Sequence, residues 1–163
     1  MVGQERVRRS ARVLLVDRAD RLLLLRLAAA VDGLPLWIAP GGGIEPGEDP
    51  FDAAVRELRE ELGVRLDRDQ LTGPVWVQEL DIAFGGYTGI ENTYLFARVD
   101  VTPDLSTTAA EWAAEGIAEV DTWDTGRMRA AVGRALFSPR GLPDLLDAVL
   151  AGGIPKTPLQ VGL

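Results

Sequence analysis

The sequence predicts a mixed α/β sandwich, and three observations predict it. Two short apolar runs, residues 11–17 (ARVLLVD) and 21–27 (RLLLLRL), are joined by Arg18-Ala19-Asp20, the pattern of a β-hairpin. Residues 50–62 carry a full set of helix start and stop signals. Strand-like runs follow that helix, and two amphipathic segments come after them.

Size and composition bound the reading. A chain of 163 residues with 47% hydrophobic content is long enough for one domain with a sizeable core, and too apolar for disorder. We read residues 1–163 as a single domain, with 152–163 (GGIPKTPLQVGL) as a loose tail. No apolar run is long enough to span a membrane, and the short run after the N-terminal charges is soon broken by Asp17, Arg18 and Asp20, unlike a signal peptide. A cytoplasmic location is the expectation. Cysteine is absent, which excludes disulfides and thiolate chemistry; histidine is absent too, which excludes imidazole bases and ligands. Proton transfer must therefore fall to carboxylates, Lys, Tyr or a cation-activated water. The net charge of −8 disfavours a nucleic-acid polymer as partner. Homodimerisation is left open.

In chain order, residues 28–35 read as a loop and 36–38 as a short strand leading to Pro40 and three glycines. After the helix, residues 75–83 and 92–99 read as strands joined by a glycine-rich turn, 102–110 as a polar loop, and 117–121 as a last strand. Residues 125–137 and 143–150 read as helices separated by Ser138-Pro139.

The helix over 50–62 is the informative element. Asp49 suits the N-cap, Pro50 the first turn, Asp52 the positive end of the dipole, and Gly63 the left-handed position that ends it. Phe51, Ala54, Val55, Leu58 and Leu62 form one apolar stripe. Glu57, Glu60 and Glu61 group on a flank of that stripe. Like charges at these spacings repel by roughly 0.2–0.5 kcal/mol per pair when exposed. One reading is a solvated acidic face offset by Arg56 and Arg59; the other is a site for a hard divalent cation, which takes carboxylate oxygens. Glycines just before the helix allow backbone carbonyls to approach such an ion.

The stretch from Gly42 to Val64 resembles the Nudix box, G-x5-E-x7-R-E-U-x-E-E-x-G-U. Gly42, Glu48, Arg56-Glu57-Leu58, Glu60-Glu61 and Gly63-Val64 occupy its fixed positions without a gap. The resemblance implies the Nudix α/β/α sandwich with a mixed β-sheet, and hydrolysis of a nucleoside diphosphate linked to another moiety, with Mg²⁺ or Mn²⁺ as cofactor and a small nucleotide as substrate. Carried over by residue, it makes Glu57, Glu60 and Glu61 metal ligands, with the Gly41 carbonyl as a further one. Glu60, Glu61, Glu115 and Arg56 form the implied catalytic set, Arg56 holding the glutamates in place. Glu48 braces the loop against the helix.

Outside the box, Glu115 and Glu111 are both candidates for a base, and Glu115 is preferred because it precedes the strand at 117–121. Arg26 is a candidate phosphate contact. Trp37, Trp76, Phe84 and Tyr87 are candidates for a base or ribose pocket, each set against simple packing. The proline that follows the box in many ADP-ribose hydrolases is absent, Glu79 standing there. A MutT-like nucleoside triphosphate pyrophosphohydrolase, or an unassigned Nudix enzyme, is the remaining default. The alternatives are a Nudix domain that binds nucleotide as a regulatory module without hydrolysis, and a purely structural acidic module.

Overall fold

The structure, a computed structural model, describes residues 6–83, 85–100 and 109–162. Among the described residues, nine strands form one mixed sheet, with helices on both faces. The strands are β1 Val7–Val16, β2 Leu22–Leu27, β3 Leu36–Ile38, β4 Gly41–Gly43, β5 Thr72–Leu80, β6 Gly89–Arg98, β7 Ile117–Trp123, β8 Leu136–Ser138 and β9 Leu159–Val161. The helices are α1 Pro50–Leu62, α2 Ala109–Ala114, α3 Thr125–Ala130 and α4 Leu142–Gly152. The sheet runs β8-β3-β2-β1-β6-β5-β9, with β4 also on β1 and β7 also on β2. None of the described helices is long and apolar enough to cross a membrane.

The leucine-rich arm is explained by burial on both faces. Leu23 and Leu25 of β2, with Ala11, Val13 and Leu15 of β1, pack under α1. Leu22 and Leu24, with Leu14 and Val16, pack on the opposite face under α3 and α4. A strand covered on both sides needs apolar residues at every position, not at alternate ones. The expected β1–β2 hairpin exists only at its turn, where Val16 pairs with Leu22. Beyond it the strands part. β1 runs parallel to β6 over ten register pairs, from Val7↔Gly89 to Val16↔Arg98, while β2 takes β3 and β7.

α1 begins and ends as its signals dictate. The Asp49 carboxylate accepts from the Asp52 N–H at 2.9 Å, and Gly63 adopts φ +64° with its N–H on the Arg59 carbonyl. Ala53, Ala54, Leu58 and Leu62 are buried, with Phe51 and Val55 half-buried beside them.

Three expectations are corrected. The helix expected over 125–137 stops at Ala130; Gly133 sits at φ +80°, and Leu136–Ser138 pairs in parallel with β3. There Phe137 meets the Trp123 ring at 5.0 Å, a tertiary contact that outweighs local helical preference. The expected loop at 102–110 gives way to α2 at its end, while 101–108 lie outside the described residues. The tail, expected loose, carries β9, which pairs in parallel with β5 from Trp76↔Leu159 to Gln78↔Val161. Its backbone finds partners at an open sheet edge, which side-chain patterning does not report.

Candidate active site

The site is built on the turn from β3 into α1. After Ala39 and Pro40 the chain forms β4, antiparallel to residues 10–12 of β1. Gly41 has φ +141°, and a Cβ there would lie 1.9 Å from the Ala11 carbonyl oxygen, so only glycine fits. A Cβ on Gly42 would lie 2.4 Å from the Glu57 carboxyl carbon. The missing side chains thus let the glycine strand and the acidic helix approach each other.

Arg56 is the hub. Its Nε and Nη2 donate to the two oxygens of Glu48, each at 2.9 Å, a bidentate pair. Nη2 also donates to the Gly43 carbonyl at 2.9 Å, and Nη1 to Glu57 Oε1 at 2.8 Å and Glu60 Oε2 at 3.4 Å. Glu48 accepts in addition from the Glu45 N–H at 3.1 Å. Hydrogen bonds from Arg56, then from that N–H, hold the Glu48 carboxyl down at about 2. Arg56 and Glu48 therefore tie loop and helix together.

Glu61 differs from its neighbours. It has no arginine partner among the described hydrogen bonds; its Oε2 accepts from the Gly41 N–H at 3.4 Å. Burial pushes its carboxyl up to about 7, opposed by the charge of Arg12 and the Gly41 N–H and reinforced by Glu57 and Glu115. Glu115 is thus within electrostatic reach of Glu61. It follows α2, whose Trp112 Nε1 donates to the Glu61 carbonyl at 3.2 Å and so docks α2 against the end of α1. Glu111 lies in the first turn of α2.

The Gly41 carbonyl, expected as a metal ligand, accepts here from Arg12 Nη1 at 3.2 Å, and the same nitrogen reaches the Ala39 carbonyl at 3.3 Å. Sequence reasoning missed Arg12. The available signal was a guanidinium between Ala11 and the apolar run Val13–Val16, a placement that asks for a partner.

The donor set suits a hard cation: three carboxylates flank a loop with backbone oxygens. As placed, no three acidic side chains among the described residues are gathered to hold a metal ion; Glu57 and Glu60 turn to the Arg56 guanidinium, which supplies the positive charge. The chemistry fits, with Arg56 and a cation drawing on the same two carboxylates.

A second feature opens on the sheet face that carries α3. A surface cavity of about 490 Å³ is lined by Arg26, Trp37, Trp123, Arg127 and Arg134 among others. Arg26 is paired with Glu119 at 3.0 Å. Trp37 is buried and meets Trp123 edge-on at 5.0 Å, while the Arg127 guanidinium stacks 3.8 Å over the Trp123 ring. Trp76 is fully buried against Tyr94, and Tyr87 lies under Arg6 at 5.7 Å. Phe84 lies outside the described residues.

The NUDIX domain profile matches residues 6–129, more than half of the chain. The chain belongs to the NUDIX family. NUDIX relatives with known names match only in part. Human diphosphoinositol polyphosphate phosphohydrolase 3-alpha is 46% identical over 57 residues, 35% of this chain and 33% of that protein. The RNA pyrophosphohydrolase of Rhizobium meliloti (strain 1021) is 51% identical over 47 residues, 28% of each chain. The matched stretch thus spans about a third or less of these relatives' length. Among solved NUDIX folds, the MutT protein from Methanosarcina mazei Go1 superposes with a TM-score of 0.64 at 16% identity, covering 91% of this chain and 96% of that one. The NUDIX hydrolase from Nitrosomonas europaea gives 0.62 at 21% identity, covering 94% of each. These two show the α/β/α sandwich as the fold.

Proposed function

We propose that this NUDIX chain is a divalent-cation-dependent pyrophosphohydrolase that cleaves a phosphoric anhydride bond in a nucleoside diphosphate linked to another group. One observation carries the reading. A complete Nudix box folds so that Glu57 and Glu61 face the glycine strand and Glu60 joins Glu57 on Arg56, with Arg56 and Glu48 fixing loop to helix.

Glu57, Glu60 and Glu61 would hold Mg²⁺ or Mn²⁺, with the Gly41 carbonyl as a further oxygen. The cation supplies neutralisation of phosphate charge and acidification of water. The rest falls to the chain's own groups. Arg56 acts as a positioning residue: its fork holds Glu57 and Glu60 on one side and Glu48 and the Gly43 carbonyl on the other. Glu61, with its carboxyl at about 7, is suited to hold or move a proton near neutral pH, and Glu115, whose charge it feels, is the candidate base beside it. Arg26, paired with Glu119 at the rim of the aromatic cavity, would exchange that partner for a phosphate of an anionic substrate that the overall charge of −8 would repel.

The named relatives are a phosphohydrolase and a pyrophosphohydrolase, which supports the reaction class and widens the substrate panel. The test is incubation with nucleoside triphosphates, dinucleotides, a diphosphoinositol polyphosphate and 5′-pyrophosphorylated RNA, each with Mg²⁺ or Mn²⁺, with products resolved by chromatography. Cleavage of one class sets the substrate. Nucleotide binding without turnover on the whole panel overturns the proposal in favour of a regulatory module.

A further inference from the structure

On the face of the sheet under α3 and α4, three polar side chains are buried together beneath the last described residues. Gln78 is wholly buried, Asn92 is 7% exposed and Tyr94 2%. Their strands set them side by side, with Gln78↔Asn92 and Trp76↔Tyr94 in register. Gln78 Oε1 accepts from Asn92 Nδ2 at 3.0 Å and from the Tyr94 hydroxyl at 3.1 Å. Gln78 Nε2 donates to the Gly162 carbonyl at 2.8 Å and to Ser138 Oγ at 3.4 Å. Two buried polar atoms in the same array have no partner: Asn92 Oδ1 and Trp76 Nε1.

The array adjoins the glycine strand. Arg12 pairs in register with Tyr94 and donates to the Gly41 carbonyl. Burial holds the Tyr94 phenol above its ordinary value, and the charge of Arg12 opposes that shift. One residue therefore bridges the polar array and the loop that faces the acidic helix.

What covers the array is lightly held. β9 has three residues; Leu159 is 47% exposed, Gln160 is exposed and Val161 only half-buried. Gly152 and Gly153 precede it, with Pro155 and Pro158 between. A short edge strand with few buried apolar atoms opens at low cost. The groups beneath are the opposite case. Each buried amide or indole without a partner carries a desolvation cost of about 1–3 kcal/mol, so they favour an occupant that satisfies them more fully. The Gly162 carbonyl is one backbone amide oxygen standing where a ligand carbonyl would stand, and it leaves the Asn92 acceptor unmet.

We propose that residues 159–162 are a strap that occupies a ligand site, and that the ligand it excludes is a planar ring with a carbonyl next to an N–H. The carbonyl replaces that of Gly162 on Gln78 Nε2, and the N–H meets Asn92 Oδ1. A lactam-edged nucleobase such as guanine offers that pair on one edge. Adenine offers an amino donor beside a bare ring nitrogen and does not match. The inference rests on the reading of this chain as acting on nucleotides, but its test needs no turnover.

The probes are GMP and AMP, in EDTA, with the full chain. In the native protein, saturating GMP should speed backbone amide hydrogen exchange across 159–162, and AMP at the same concentration should not. By calorimetry, Val161→Asp, which loosens the strap, should bind GMP about tenfold more tightly, because apparent affinity scales with the open fraction. Adding Gln78→Met to Val161→Asp should abolish the preference for GMP over AMP. Slower exchange at 159–162 on adding GMP would mean the segment forms part of the site and does not block it. That result overturns the proposal, as does unchanged or weaker GMP binding by Val161→Asp, equal binding of GMP and AMP, or no binding by either protein. The native-protein exchange experiment stands even if Val161→Asp fails to fold. Hydrolysis of the nucleotide panel with any of these negative results would leave the proposed function intact and remove only the strap.

Discussion

Glu61→Gln should stabilise the metal-free protein at alkaline pH and do little at acid pH. The folded Glu61 carboxyl lies at about 7, above the ordinary 4.5, chiefly because it is buried. The folded state therefore holds this proton more tightly than the unfolded chain does. The resulting stability is fully present below pH 4.5 and lost as pH rises through 7. At roughly 1.4 kcal/mol per pH unit, the gap between the two values amounts to about 3 kcal/mol at pH 8. Glutamine keeps an oxygen for the Gly41 N–H and removes the charge, so it should recover most of that amount at pH 8 and below about 1 kcal/mol at pH 5. For a domain of this length, 3 kcal/mol corresponds to a rise in melting temperature of roughly 6–12 °C. Urea denaturation of both proteins in EDTA at pH 5 and pH 8, at constant ionic strength, measures it. Equal differences at the two pH values, or a variant less stable than native at pH 8, would refute the argument that Glu61 is penalised by burial.

Glu48 should behave in the opposite way, since hydrogen bonds from Arg56 hold its carboxyl down at about 2. Arg56→Ala leaves Glu48 and Glu57 without their donor and should cost about 2–4 kcal/mol by chemical denaturation, less than for a fully buried pair because the side chains are partly solvated. Gly42→Ala places a Cβ against the Glu57 carboxyl; the fold should survive by circular dichroism, while the rise in melting temperature produced by Mg²⁺ should shrink or vanish. Glu115→Gln should lower kcat more than Glu111→Gln, and it should shift the alkaline loss of stability to lower loss, because one of the charges raising the Glu61 carboxyl is gone. Steady-state kinetics and pH-dependent melts check these two effects separately.

How much of this was legible in the sequence varies by element, for physical reasons. α1 was readable to the residue because its ends are set by local groups, the Asp49 carboxylate and the left-handed Gly63. β4 was not, because three glycines carry no pattern; they are a strand only because β1 lies alongside. β8 looked helical, since RALF continues the periodicity of α3 and only the pairing with β3 makes it extended. In the site, the box resemblance implied that Arg56 holds the helix glutamates and that Glu48 braces the loop, but not that the two bind each other. Nor did it imply the strain confined to Glu61, because that depends on which carboxylates the guanidinium reaches. Arg12 and the Gln78 array were hidden for a further reason. Their polar residues blend into strands that carry other polar groups, and partners such as Gly41 and Gly162 lie tens of residues away in sequence.

The ten-pair parallel ladder between β1 and β6 also sets an order of events during synthesis. Residues 7–16 have no long strand to pair with until 89–98 have left the ribosome. Until then the run VLLV, apolar on both faces, has only the Val16–Leu22 pair and a bond to Pro40 as backbone partners, and no full helix cover. Contacts of such long sequence separation form slowly, and exposed apolar strands in waiting are prone to associate. Nascent chains halted before residue 89 should therefore be bound by chaperones through their first strand. Chains extended past residue 98 gain the strand partner but still lack Met128, Leu142, Leu146 and Val149 over the opposite face, so full release should wait until α4 has emerged.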